Sequence, residues 1–216
     1  MNDNRNYFWS INSISKREEY NIITTWVKEK SKVIDLGCGD GSLLKLLKDK
    51  KKVNGTGVEL SVSGCEAARK KGIKAICRRI DMPLEYKSLE FDYAICNVTL
   101  QMVMYPEVLV KEMKRIAKIQ ILSFPNFAFI VNRLDMLLNG RMPRVMIPGY
   151  KWYSTGHIHQ LSINDFIDFC KEINLVIIDQ KHVYPLRFGK LPIPKKIISL
   201  KPNLFAYTAI FQTTSK

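Results

Sequence analysis

Residues 31–47, SKVIDLGCGDGSLLKLL, decide the fold. Val33, Ile34 and Leu36 form a short apolar run suited to a buried strand, and Leu43, Leu44 and Leu47 place one apolar face on a following helix. Between them, glycines at 37, 39 and 41 let the backbone turn tightly, so that main-chain N–H groups and the helix N-terminus face whatever lies above the strand end. The spacing is GxGxG with Asp35 just before it. The dinucleotide spacing GxGxxG and the phosphate-binding GxxxxGK[ST] are both absent.

Working outward, residues 17–30, REEYNIITTWVKEK, predict a helix through Tyr20, Ile23, Trp26 and Val27. Downstream, GTGVEL (55–60) is a second strand, SGCEAARKKG (63–72) a helix and KAICRRI (74–80) a weaker third strand. FDYAICN (91–97) is the fourth, VLVKEMKRIAK (108–118) a helix, and IQILSF (119–124) a fifth strand stopped by Pro125 and Asn126. This alternation implies parallel pairing through crossover helices. The rhythm then changes. One helix is predicted near 127–139, followed by a loop punctuated by Gly140, Pro143, Pro148, Gly149 and Gly156; SINDFIDFCKEIN (162–174) is a helix capped by Ser162 with Asp165. LVIIDQKHV (175–183) and NLFAYTAIFQT (203–213) are the last strands, and with no crossover helix between them the last should run antiparallel. The expectation is an α/β, doubly wound, mainly parallel seven-stranded sheet with its last strand antiparallel. It would form a single domain over 1–216, with a small cap at 126–160 after strand five.

The 216 residues, 46% hydrophobic and 25% charged, exclude a mostly disordered chain and two full-sized domains. IQILSFPNFAFIV (119–131) is too short for a bilayer span and is broken by Pro125. No secretory signal is expected from the N-terminus. Five cysteines, at 38, 65, 77, 96 and 170, form no CxxC pair, which reads as isolated, reduced thiols of a cytoplasmic protein. The net charge of +14 is uneven: residues 1–108 hold 18 basic and 14 acidic side chains, residues 109–216 hold 16 and 6. Such a field attracts an anionic small molecule, nucleic acid or an acidic protein surface, or else merely decorates solvated helices. NVTL stands after the fourth strand, where base-methylating enzymes carry NPPY or DPPY, so nucleic acid is not an expected partner.

The chemistry gathers at strand ends, where open α/β sheets bind ligands. Asp35 can bind a cationic amine, which suits a ligand bearing an ammonium and a sulfonium better than a pyrophosphate. Glu59, ending the second strand, can accept from both hydroxyls of a ribose. Asp81 can accept from an exocyclic adenine amine with the Met82 thioether near the ring, although Met82 also suits plain core filling. Asn97, Val98 and Leu100 leave the fourth strand where backbone contact with a ligand is expected.

This combination resembles the class I methyltransferases that use S-adenosylmethionine. VIDLGCGDGSLLKLL, FDYAICNVTLQ, ILSFPNF, NGRMP and YKWYSTGHIHQLSINDF, in that order, narrow the resemblance to the bacterial MetW family over residues 31–180. It implies S-adenosylmethionine as cofactor, with S-adenosylhomocysteine as product, and a cofactor set of Asp35, Gly37, Cys38, Gly39, Gly41, Glu59, Leu60, Asp81, Met82, Asn97, Val98 and Gln101. Asn126, Arg141, Trp152, Tyr153, His157 and His159 would form a cap over the pocket. The resemblance also implies a role in methionine biosynthesis beside the homoserine acyltransferase MetX. After residue 183 the sequence carries no signature of the family that its motifs reveal.

Methyl transfer is an in-line displacement that alignment and exclusion of water accelerate, and a base is needed only if the acceptor must lose a proton. His159 and Tyr153 suit that task, or serve as hydrogen-bonded members of the cap. Arg133, Arg141 and Arg144 can hold a carboxylate or phosphate of an acceptor, or stand as solvated charges. A small polar or anionic methyl acceptor is therefore expected, and an accessory subunit of an acyltransferase, or a homodimer presenting Leu134, Leu137 and Leu138, is the alternative. No metal site is expected, since His157 and His159 lack further ligands at a suitable spacing.

Overall fold

The computed structural model describes residues 17–144, 156–185, 187–188, 191–192 and 199–215. Helix α1 (Glu18–Trp26) precedes β1 (Lys32–Leu36), α2 (Ser42–Lys51), β2 (Asn54–Glu59), α3 (Val62–Lys70) and β3 (Lys74–Cys77). Then follow β4 (Phe91–Asn97), a 3₁₀ turn (Leu100–Met102), α4 (Pro106–Ile116), β5 (Ala117–Pro125) and α5 (Ile130–Asn139). The chain continues through α6 (Ile163–Glu172), β6 (Leu175–Val183), a small hairpin of β7 (Arg187–Phe188) and β8 (Leu191–Pro192), a one-turn helix (Pro202–Phe205) and β9 (Thr208–Ser215).

Seven strands make one sheet in the order β3-β2-β1-β4-β5-β9-β6. The first five pair in parallel, and β9 lies antiparallel to both β5 and β6. The chain steps from β1 outward to β3 and returns to β4 on the other side, so the strand order reverses between β1 and β4.

Strand periodicity explains the two layers. In β1, Val33 packs into an apolar cluster with Tyr20, Ile23, Leu43, Leu44 and Leu47, whereas its neighbour Ile34 joins the opposite cluster with Leu109, Met113 and Phe166. The same alternation sends Tyr93 and Ile95 of β4 one way and Ala94 and Cys96 the other. Helices α1, α2 and α3 thus cover one face, and α4 and α6 the second. Phe211 of β9 anchors the latter, with its ring 4.7 Å from Phe166 and 5.8 Å from Phe124.

Several boundaries differ from the sequence expectation. Helix α1 ends at Trp26 rather than Lys30, because Val27 is extended and Lys30 takes a positive φ of 58°. The third strand ends at Cys77 rather than Ile80; Arg78 N still donates to Glu59 O (2.9 Å), but the chain then turns toward Asp81. Helix α5 begins at Ile130 rather than Phe127, since Asn126 closes a turn by accepting Ala128 N on its side chain (3.1 Å) and Phe129 N on its carbonyl (3.2 Å).

The cysteines require a correction. Cys65 of α3 and Cys77 of β3 are paired as a disulfide across a Cα–Cα distance of 6.0 Å, so these two do not stand alone. A helix and the strand that follows it fold back on each other, which 12 residues of sequence separation concealed. Cys38, Cys96 and Cys170 are free and buried. Among the described residues, no helix is long and apolar enough to cross a membrane.

Candidate functional site

The turn after β1 is built around one backbone acceptor and one carboxylate. Gly37 N and Cys38 N both donate to Val58 O, at 2.8 and 3.1 Å, while Gly39 N donates to Glu59 Oε2 and Ser61 N to Glu59 Oε1, each at 2.9 Å. Glu59 therefore ties the glycine turn to the start of α3. Gly37 adopts φ +83°, and a Cβ there would lie 2.5 Å from the Thr99 side chain; at Gly57 it would lie 2.5 Å from Cys38 Sγ. Both positions need glycine, one for its left-handed backbone and the other because β2 and the turn approach so closely.

Asp35 lies beneath this turn, 2% exposed, and its Oδ1 has no hydrogen-bond partner among the described residues. Burial, reinforced by the nearby Glu59 carboxylate, pushes its pKa up to about 7. Burial likewise pushes the Cys38 thiol up, with the Asp35 charge adding to it.

A brace not anticipated from sequence holds the outer side of the turn. Lys71, just beyond α3, pairs with Asp40 and donates to Ser42 Oγ at 2.7 Å, and Ser42 N donates to Asp40 Oδ1 at 3.1 Å. Although burial alone disfavours the Asp40 charge, the hydrogen bonds from Lys71 and Ser42 hold its carboxyl below the usual range. A lysine in a run of lysines gives no sequence signal of such a role; only the 31-residue return of the chain does.

Asp81 is buried and already engaged. Arg79 donates Nε to Oδ1 (3.0 Å) and Nη2 to Oδ2 (2.9 Å), and Oδ2 also accepts Met104 N and Tyr105 N, at 3.1 and 3.3 Å. The Arg79 hydrogen bond holds this carboxyl below the usual range. Asp81 thus fastens the loop that opens α4, and Oδ1 is the less occupied oxygen. Met82 is 47% exposed and Leu60 is also exposed, so neither serves as core filler.

At the end of β4, Asn97 Oδ1 accepts from Ser123 Oγ (2.6 Å), and Val98 takes a φ of +53°, unusual for a β-branched residue and therefore strained. Gln101 is fully buried. It donates Nε2 to Val98 O (3.0 Å) and lies 3.4 Å from His157 Nε2, while its Oε1 lacks a partner among the described residues. Its backbone carbonyl accepts Ile158 N and His159 N, at 3.0 and 3.1 Å. Gln101 therefore joins the strand-end loop to the 157–159 segment, where the His157 ring meets Phe127 edge-on at 5.7 Å and His159 Nε2 is 3.4 Å from Met104 O.

The remaining expected site residues separate. Asn126 spends its amide on Asn203 O and Ala206 O, at 3.1 and 2.8 Å, locking β5 to the turn before β9. Arg133 donates to Ala128 O and borders an open depression with Ile163, Ile167, Lys201 and Asn203, which none of the strand-end acids lines. Arg141 and Arg144 both lie toward Asp135, at 3.7 and 3.4 Å. Asn132, not singled out from sequence, is buried and bonds Phe127 O, Arg144 O and Arg144 N. Trp152 and Tyr153 lie outside the described residues. Among the described residues, no group of three histidine, cysteine or acidic side chains could hold a metal ion.

Residues 17–213 match the family model described as methionine biosynthesis protein MetW. The chain belongs to the MetW family. The match reaches past residue 183, so the C-terminal strands belong to the family pattern although no short motif marks them. A bifunctional methionine biosynthesis protein MetXA/MetW of Rhodopirellula baltica is 33% identical over 192 residues. That alignment covers 83% of this chain but only 30% of the relative, so the chain spans about a third of that protein. Among solved structures, a SAM-dependent methyltransferase of Thermotoga maritima, described as a possible histamine N-methyltransferase, superposes with a TM-score of 0.63 at 18% identity, covering 92% of this chain and 88% of that one. The [4+2]-cyclase SpnF gives 0.62 at 15%, covering 91% and 80%. These likenesses establish the methyltransferase-like fold, and the differing descriptions of the two neighbours show that this fold does not dictate one reaction.

Proposed function

We propose that this MetW-family chain is an S-adenosylmethionine- or S-adenosylhomocysteine-binding subunit that works with a homoserine acyltransferase in methionine biosynthesis. The observation that carries this reading is the Rhodopirellula baltica relative, in whose name MetXA and MetW are joined as one bifunctional protein. The site fits such a cofactor. Asp35 Oδ1 is a buried acceptor in want of a donor, which an ammonium supplies, and the glycine turn presents a backbone surface that side chains would fill. In this assignment Glu59 takes the ribose hydroxyls with its remaining lone pairs. Asp81 Oδ1 and the exposed Met82 and Leu60 receive the adenine, and Asn97, Val98 and Gln101 line the methionine end. The cofactor, when bound, supplies an electrophilic methyl on a sulfonium. Residues 126–160 would cap this pocket within a single domain.

Calorimetry with S-adenosylhomocysteine tests the site. Glu59→Ala should lower affinity by about 1–3 kcal/mol through loss of charged hydrogen bonds, and unchanged affinity would remove Glu59 from the pocket. Co-purification with the acyltransferase, and a rise in its activity without consumption of the methyl group, tests the role.

Methyl transfer to a small polar or anionic acceptor is the second reading. It is favoured by Gln101 Oε1, a buried acceptor oxygen beside His157 that lacks a partner among the described residues. Under this reading His159 and Tyr153 supply the base, and Asn126, Arg133, Arg141, Trp152 and His157 the acceptor side. Appearance of S-adenosylhomocysteine from S-adenosylmethionine on addition of an acceptor would favour it over the accessory role.

A further inference from the structure

Two cysteines lie between the acids at 59 and 81. Cys65 is fully buried in α3, six residues beyond Glu59; Cys77 is exposed at the end of β3, four residues before Asp81, and pairs in register with Glu59 across the β2–β3 ladder. Their Cα atoms are 6.0 Å apart, within the reach of a disulfide, and the two are bonded. The surroundings give the sulfurs different chemistry. Arg69 is held by two hydrogen bonds to Ala75 O, at 3.1 and 2.9 Å, and this fixes its Nη2 3.7 Å from Cys77 Sγ. A fixed guanidinium beside an exposed sulfur favours the thiolate. Cys65 Sγ lies 3.5 Å from Glu59 O, where a reduced thiol can donate, and the same carbonyl accepts Arg78 N.

We propose that Cys65 and Cys77 form a reversible thiol–disulfide modification site whose oxidised form clamps the adenosine end of the pocket. This rests on the assignment of Glu59 and Asp81 to the cofactor. The oxidant is a low-molecular-weight disulfide. The Cys77 thiolate attacks one of its sulfurs, forms a mixed disulfide and expels one small thiolate. Cys65 then loses its proton, and its sulfur attacks Cys77 and expels the second. The protein loses two electrons and two protons, and the two released small thiols carry both. In the reduced form the Cys65 thiol supports the Glu59 carbonyl by a hydrogen bond alone. In the oxidised form a covalent bond ties α3 to the end of β3, so the segment from 59 to 81 has less freedom to lose when a ligand binds.

The experiment treats the full chain with glutathione disulfide, then with dithiothreitol, maps disulfides by non-reducing peptide mass analysis, and titrates each state with S-adenosylhomocysteine. The expected result is a 65–77 cross-link that dithiothreitol reverses, with affinity about threefold or more tighter in the oxidised state. Cys77→Ser, at an exposed position, should bind like the reduced protein and ignore the oxidant; Cys65→Ala should do the same. Cysteines 65 and 77 remaining reduced, or pairing elsewhere, would overturn the site. A cross-link with equal affinity in both states would overturn the clamp. Binding in neither state would instead sink the cofactor assignment and the coupling built on it, while the mass map still decides the disulfide.

Discussion

Asp35, the penultimate residue of β1, lies between Gly57 of β2 and Ile95 of β4, and that register leaves its carboxyl buried beside a second acid. An ordinary aspartate ionises near 3.9, whereas this one is raised to about 7. The folded protein therefore holds more protons than the unfolded chain between those values, and stability falls as pH rises through that window. Relative to wild type, Asp35→Asn should gain stability from about pH 4 to pH 7, by a few kcal/mol at most, with a flat difference above. Urea titrations of the ligand-free protein across that range check this, and a pH-independent difference would contradict it. Under the proposed function an ammonium restores the charge, so Asp35→Asn should also lose cofactor affinity. Asp35 and Glu59 were legible in the sequence because both are strand-end acids beside a glycine turn. Lys71 and the Cys65–Cys77 pair were not, because their partners are met only when the chain returns through a helix.

Local elements followed their own residues where capping chemistry is short-range. Ser162 accepts Asp165 N at 3.2 Å and Asp165 Oδ2 accepts Ser162 N at 2.8 Å, completing the box that the sequence announced at the start of α6. Ser162→Ala should cost about 1 kcal/mol of stability, seen as a lower urea midpoint with unchanged slope; no shift would mean that Asn203 Oδ1, which accepts Ile163 N, secures this end by itself. The start of α5 was less legible. The sequence predicts a helix from about 127, but the Phe127 and Phe129 rings are buried in the turn before the helix, and the Asn126 side chain sets where helical hydrogen bonding begins. Long-range bonds from Asn126 and Asn132 then decide the course of the chain around α5, and an asparagine in a sequence does not announce a distant carbonyl as its partner.

At the scale of the whole molecule, β9 closes the sheet by entering between β5 and β6, which join only through it. Its fully buried Phe211 packs against Phe124 of β5 and Phe166 of α6. Phe211→Ala should therefore destabilise the protein by about 3–5 kcal/mol, measured by urea unfolding, and a loss near 1 kcal/mol would mean that the edge of the sheet folds separately from its centre. The alternation of strand and helix, the parallel sense of the first five strands, the antiparallel last strand and the strand-end placement of the acids at 35 and 59 were all determined by the sequence itself. Each depends on hydrophobic period, turn residues or position at a strand end, and these act over a few neighbours. Only the tertiary structure decided that β9 lies inside the sheet rather than at its edge, that Asp81 is shared with Arg79 and the α4 loop, and that Cys65 meets Cys77. Those outcomes depend on which distant groups compete for the same buried space and the same hydrogen bonds, and that competition exists only once the chain has closed on itself.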